Sequence, residues 1–84
     1  MLEKTIAVYP NPAKENLTIS IPKEINQNLK IEIIDLLGRI SFSKSYENQI
    51  LNEIKIDLSR LTKGSYFVKI NSDTEYVTKK IIIN

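Results

Sequence analysis

The side chains that most often do chemistry in proteins are missing from this sequence, whose 84 residues include no cysteine and no histidine. Without thiols there is no disulfide framework, no thiolate nucleophile and no Cys-ligated zinc. Without imidazole, the commonest general base near neutral pH and the commonest metal ligand are both gone. Scattered carboxylates, lysines and four tyrosines remain. Asp35, Asp57 and Asp73 lie beside expected turns or on alternating strands, where a carboxylate caps a loop or faces water, and no metal-ligand spacing joins them. The two glycines, Gly38 and Gly64, stand too far apart for a phosphate-binding loop. Asn16-Leu17-Thr18 fits the acceptor pattern for N-linked glycosylation, but three-residue patterns arise often by chance and this one has meaning only in a eukaryotic secretory context. No catalytic, cofactor-binding or metal-ligating residue is assigned, and the chain reads as something other than an enzyme.

Charge narrows the partners. Twelve basic and ten acidic residues leave a net charge of +2, and the lysines are spread along the chain rather than gathered in a run, so nucleic acid is not implied. No apolar stretch approaches the ~20 residues of a membrane-spanning helix. Met1-Leu2-Glu3-Lys4-Thr5 lacks the apolar segment of a secretory signal, so the chain reads as a cytosolic protein or as a piece of a longer one. Its length allows a single domain over residues 1–84, with 1–5 a linker or cloning remnant; a domain this small buries somewhat more than ~60% of its extended-chain surface. With 42% hydrophobic residues and no cysteine, stability must come from apolar burial and the hydrogen-bonded backbone.

The elements that position these residues are strands. Apolar residues alternate at period two, and no window sustains helical spacing. Seven strands are expected, at Ile6–Tyr9, Asn16–Ile21, Leu29–Asp35, Ile40–Ser45, Glu53–Leu58, Ser65–Asn71 and Glu75–Ile83; such even spacing favours a sandwich or barrel. Leu29, Ile31 and Ile33 face inward against Lys30 and Glu32, as do Ile54, Ile56 and Leu58 against Lys55 and Asp57. Tyr66, Val68 and Ile70 continue the inward set, which turns Phe67 and Lys69 outward and leaves Phe67 exposed or covering an edge. Pro10-Asn11-Pro12 must break the chain between the first two strands or lie at a sheet edge, since neither proline can donate a ladder bond. Leu36-Leu37-Gly38-Arg39 fits a hairpin with Gly38 left-handed, Asn71-Ser72-Asp73-Thr74 fits another, and Tyr46–Asn52 is a polar loop.

Two local patterns stand out. Leu61-Thr62-Lys63-Gly64-Ser65-Tyr66 has the look of a tyrosine corner, in which a hydroxyl bonds backbone a few residues upstream; the alternative is that Tyr66 is a plain inward aromatic. Val77-Thr78-Lys79-Lys80-Ile81-Ile82-Ile83-Asn84 sets two lysines before three consecutive isoleucines where a half-buried strand would alternate. Either the isoleucines fill both faces of a central strand, with the lysines guarding against pairing between molecules, or the strand is an address read by strand addition or by a receptor groove.

The pattern taken whole is more specific. Val8-Tyr9-Pro10-Asn11-Pro12-Ala13, then Leu17-Thr18-Ile19, Ile33-Ile34-Asp35-Leu36-Leu37-Gly38-Arg39, Ile56-Asp57-Leu58-Ser59, Gly64-Ser65-Tyr66-Phe67-Val68-Lys69-Ile70 and Thr78-Lys79-Lys80-Ile81-Ile82-Ile83 resemble, in order and spacing from about residue 6 to the last, the type A C-terminal sorting domain of the type IX secretion system, the Por secretion tail family. The resemblance implies a seven-stranded immunoglobulin-like antiparallel β-sandwich carried at the C-terminus of proteins exported by Bacteroidota. It implies a fused N-terminal cargo that folds in the periplasm, recognition by the outer-membrane translocon and its shuttle proteins, and passage to the cell surface or medium. The resemblance also implies that a sortase-like cysteine protease then removes the domain, making it a substrate and not a catalyst. Tyr9, Pro10, Asn11, Pro12, Gly38, Gly64 and Tyr66 match the family's structural motif, and Lys79, Lys80, Ile81, Ile82, Ile83 and Asn84 are the expected recognition segment.

Two other classes compete. An immunoglobulin-like or carbohydrate-binding accessory module of a secreted enzyme would share size and fold but should show an aromatic platform, and here there is no tryptophan and the four tyrosines are dispersed. A module that self-associates weakly through edge strands is kept open by Ile81-Ile82-Ile83, an aggregation hazard where exposed.

Overall fold

The computed structural model describes residues 6–22, 28–47, 52–73 and 76–84. It holds seven strands, β1 (Ala7–Tyr9), β2 (Asn16–Ser20), β3 (Leu29–Asp35), β4 (Ile40–Tyr46), β5 (Glu53–Asp57), β6 (Gly64–Asn71) and β7 (Tyr76–Ile83). They form a three-stranded sheet ordered β1-β2-β5 and a four-stranded sheet ordered β4-β3-β6-β7. Every pairing between strands is antiparallel, and the two sheets pack as the expected sandwich.

Alternation is what makes this geometry. Successive side chains of a strand point to opposite faces, so Leu17 and Ile19, Leu29, Ile31 and Ile33, Ile54 and Ile56, and Tyr66, Val68 and Ile70 all turn into one shared core. Burying each such side chain contributes about 1.5–3 kcal/mol relative to leaving it in water, which is how a chain without disulfides holds together. Ile6, Ile21 and Leu58 are buried too, although each lies one residue beyond the strand it was expected to belong to. Burial continues into the connections after the ladder stops.

The expected turns are largely in place. Between β3 and β4, Gly38 takes φ +87°, donates its N–H to the Asp35 carbonyl at 3.0 Å and meets nothing that a Cβ would strike; glycine is needed there for its backbone conformation alone. A register shift at Ile33/Ile34 puts a bulge in the β3/β4 pairing. The β6 to β7 connection is a hairpin, with Asn71 opposite Tyr76, and Thr74 of that expected turn lies outside the described residues. Tyr46 closes β4 rather than opening a loop; most of the rest of the expected Tyr46–Asn52 loop falls outside the described residues, as do residues 1–5.

Candidate functional site

The most distinctive arrangement in the molecule joins its two ends. β7 is the outermost strand of the four-stranded sheet, paired on one side with β6. Its other side is met by the segment that follows β1. The Asn11 side-chain amide donates from Nδ2 to the Lys80 carbonyl at 3.2 Å, while the Ile82 N–H donates to Asn11 Oδ1 at 3.0 Å. Ala13 N–H donates to the Ile82 carbonyl and Asn84 N–H to the Ala13 carbonyl, both at 2.8 Å, making a short parallel bridge between Ala13 and Ile83. One asparagine side chain and one residue of backbone thus stand in for an eighth strand.

Pro10 and Pro12, each preceded by a cis peptide bond, have no N–H to give, so Asn11 supplies polar groups that the prolines cannot. The segment both breaks the chain after β1 and lies at a sheet edge, and Ala13 itself is fully buried. Upstream, Tyr9 ends β1 and its hydroxyl donates to Glu53 Oε2 at 3.2 Å. Desolvation, and then the neighbouring carboxylate, hold its pKa above the usual tyrosine value.

The recognition segment expected from the sequence is divided by its strand geometry. Ile81 and Ile83 are core residues, whereas Ile82 is 42% exposed on the opposite face. Lys79 is half-buried on the core side, Lys80 is exposed on the outer side, and Asn84 is exposed at the end. The expectation that three isoleucines fill both faces of a central strand is therefore corrected. β7 is an edge strand, alternation persists through Ile81-Ile82-Ile83, and only the inner face is covered.

Register reveals neighbours that sequence reading did not find. Ile40 pairs with Ile34, Ile34 with Phe67, and Phe67 with Lys80. These residues form a row across all four strands on the outer face, with Ile82 diagonal to Phe67. Phe67 is 37% exposed, and Ile40, Leu36 and Leu37 at the same end are more so. The next row, Ser43, Glu32, Lys69 and Thr78, is polar apart from aliphatic stems. Only knowledge of the register could have collected residues 34, 40, 67 and 82 into one patch.

The other singled-out residues hold the frame. The Tyr66 hydroxyl donates to the Thr62 carbonyl at 2.6 Å, four residues upstream, with the Thr62 hydroxyl 3.1 Å away; this is the tyrosine corner. Gly64, at φ +148°, opens β6. Asp35 Oδ1 accepts from the N–H groups of Leu37 and Arg39, and Oδ2 accepts from Arg39 Nε, each at 2.9 Å. Those bonds, the Arg39 N–H foremost, hold its carboxyl below the usual range. Asp57 accepts from Ser59 N–H at 2.9 Å, with the same effect, and Asp73 accepts from Asn28 Nδ2 at 3.0 Å. All three carboxylates are engaged in turn and loop contacts. A shallow cleft of about 630 Å³ lies between the Asp35–Ser41 and Arg60–Tyr66 connections, lined by turn residues. Among the described residues, no group of carboxylates is placed to hold a metal ion, and no helix is long and apolar enough to cross a membrane.

The chain was then compared with known proteins. The model of one family, described as the secretion system C-terminal sorting domain, matches residues 7–84. No curated protein matches.

Proposed function

This chain belongs to the family of secretion-system C-terminal sorting domains, a type IX sorting signal that is not itself catalytic, and we propose that it carries folded cargo from the periplasm across the outer membrane before being cut away. The match over residues 7–84 carries this reading. Membership implies a cargo fused at the N-terminal side, contact with the type IX machinery, and export to the cell surface or beyond.

The finer steps are our inference. The translocon and its shuttle proteins read the terminal segment Lys79–Asn84, and within it the groups turned to solvent do the reading: Lys80, Ile82 and Asn84, with Lys79 at the rim. Ile81 and Ile83 act indirectly by anchoring the strand in the core. A sortase-like cysteine protease then separates domain from cargo upstream of β1. Two features support the reading of the terminal segment by the translocon. The terminal strand lies on the outside of a packed sandwich, and the outer face beside it carries the apolar row that ends at Lys80 and Ile82.

Deleting Lys79–Asn84 would remove two core isoleucines and so confound folding with recognition. The decisive experiment instead fuses the 84 residues to a signal-peptide-bearing reporter in a type IX-competent bacterium. Wild-type fusion should appear outside the cell, shortened by roughly the mass of the domain, and Lys80→Glu with Ile82→Ser should trap it in the periplasm at unchanged melting temperature. Wild-type reporter retained in the periplasm with its domain folded would refute the sorting function and favour a binding module.

A further inference from the structure

β7 is closed on its outer side over only part of its length. Its backbone bonds at Lys80, Ile82 and Asn84 point away from β6, toward Asn11 and Ala13. The β6/β7 register runs unbroken from Ile83 back to Tyr76, and backbone direction alternates along an antiparallel strand, so the N–H and C=O of Thr78 point outward as well. Among the described residues, nothing meets those two groups or the N–H of Lys80.

The other sheet edges are blunted by the devices proteins ordinarily use. β4 carries the bulge opposite Ile33/Ile34, β5 is five residues long with Glu53, Lys55 and Asp57 exposed, and β1 is three residues long. β7 is eight residues long without a register shift. It already accepts a parallel neighbour at Ala13, directly beyond the open stretch. What guards the stretch is charge: Lys79 on the inner face, Lys80 on the outer, and Lys69 across from Thr78.

Resting on the reading that β7 is the address, we propose that an extended segment of the secretion machinery adds to Tyr76–Lys80 as a further strand, end to end with Asn11–Ala13. Main-chain bonds to Thr78 and Lys80 give the attachment, and side chains give the choice of partner. Cations on both faces of the edge select a strand carrying Asp or Glu on both of its own faces, since opposite charges across a strand pair attract and like charges repel. The same rule disfavours a second copy of this chain, whose edge would bring its own Lys79 and Lys80 up to these cations.

Thr78→Pro tests this directly. The outward N–H of Thr78 bonds to nothing among the described residues, so proline removes the docking donor without breaking the β6 ladder, and edge positions tolerate it. Fused to the exported reporter, Thr78→Pro should melt within a few degrees of wild type and lose at least tenfold in export, while Thr78→Ala, which keeps the N–H, should export normally. Lys80→Ala gives up the side-chain charge and should itself lower export, but Lys80→Pro, which also removes the second outward N–H, should lower it further, and that difference decides if Thr78→Pro unfolds. Normal export of the folded proline variants, or equal loss in the alanine variants, would overturn strand addition while leaving the sorting function intact. Failure of the wild-type fusion to leave the cell would overturn both. Sedimentation of the 84-residue chain provides a further check: concentration-dependent dimers abolished by Thr78→Pro would assign the edge to a second copy and refute the proposal.

Discussion

Asn11→Ala isolates the clamp from everything else in the domain. The substitution removes two hydrogen bonds, Nδ2 to the Lys80 carbonyl at 3.2 Å and Ile82 N–H to Oδ1 at 3.0 Å. An intramolecular hydrogen bond contributes about 0.5–1.5 kcal/mol net. Both lie at exposed positions, so water takes over the freed carbonyl and amide and no penalty for a buried orphan is added. The loss should be about 1–3 kcal/mol, and at about 4–8 °C per kcal/mol for a domain of this size the melting temperature should fall by roughly 4–24 °C. The backbone bonds of Ala13 to Ile82 and Asn84 remain, so unfolding should stay a single transition. Circular dichroism gives the melt, and amide exchange followed by NMR locates the cause. Ile82 should exchange much faster in the variant while Ile81, bonded toward β6, stays protected. A melting temperature within about 1 °C of wild type, with Ile82 exchange unaltered, would mean that the side chain does not hold the strand.

Other expectations follow from the same geometry. Tyr66→Phe deletes the 2.6 Å bond to Thr62 and should cost about 0.5–1.5 kcal/mol in urea denaturation; an unchanged midpoint would leave the tyrosine corner without an energetic role. Ile81→Ala should cost about 2–5 kcal/mol, as deletions from a packed core do, whereas Ile82→Ala should shift stability by less than about 1 kcal/mol because its side chain is half in water. Equal losses at the two positions would contradict the assigned faces. Asp35 has a carboxyl pKa lowered in the folded state, so its contribution is present above the unfolded value of about 3.9 and is lost as pH falls through the folded value. Asp35→Asn should therefore melt lower than wild type at neutral pH, with the two curves converging below about pH 4. A gap that persists or widens in acid would place the effect elsewhere than in the charge.

How much of this was legible depended on whether the physics is local. Period-two alternation is local, and it located seven strands and the inward faces of β3, β5 and β6. Strand ends moved by about a residue because burial outlasts the ladder, as at Ile6 and Leu58. Turn chemistry is local too: Gly38 and the Asp35 cap follow from four or five consecutive residues, and Tyr66 reaches only to Thr62. The order of strands within a sheet is not local. Three isoleucines in a row suggested burial on both faces, and nothing in the run itself says that β7 has a single strand neighbour. Pro10-Asn11-Pro12 was recognisable as a break or an edge segment, but its partner lies some seventy residues away, and an amide side chain acting as a strand leaves no periodic trace. The outer row of Ile40, Ile34, Phe67 and Lys80 exists only in the register of four strands.

That division bears on the proposal that β7 is the address. An eight-residue segment has no reason to stay extended in water alone, since isolated strands and even hairpins are marginal. Tyr76–Ile83 is extended because β6 pairs it along its whole length, because Ile81 and Ile83 are seated in the core, and because Asn11 and Ala13 close the far half of its outer edge. Each support comes from a different stretch of chain, and the last comes from the stretch nearest the cargo side. The exposed groups at Thr78, Lys80 and Ile82 thus keep their relative positions only once the first and last segments have met. Substitutions at Asn11 and at Lys80 should accordingly separate: the first loosens the frame in which the strand is presented, and the second alters the surface presented while the frame stands.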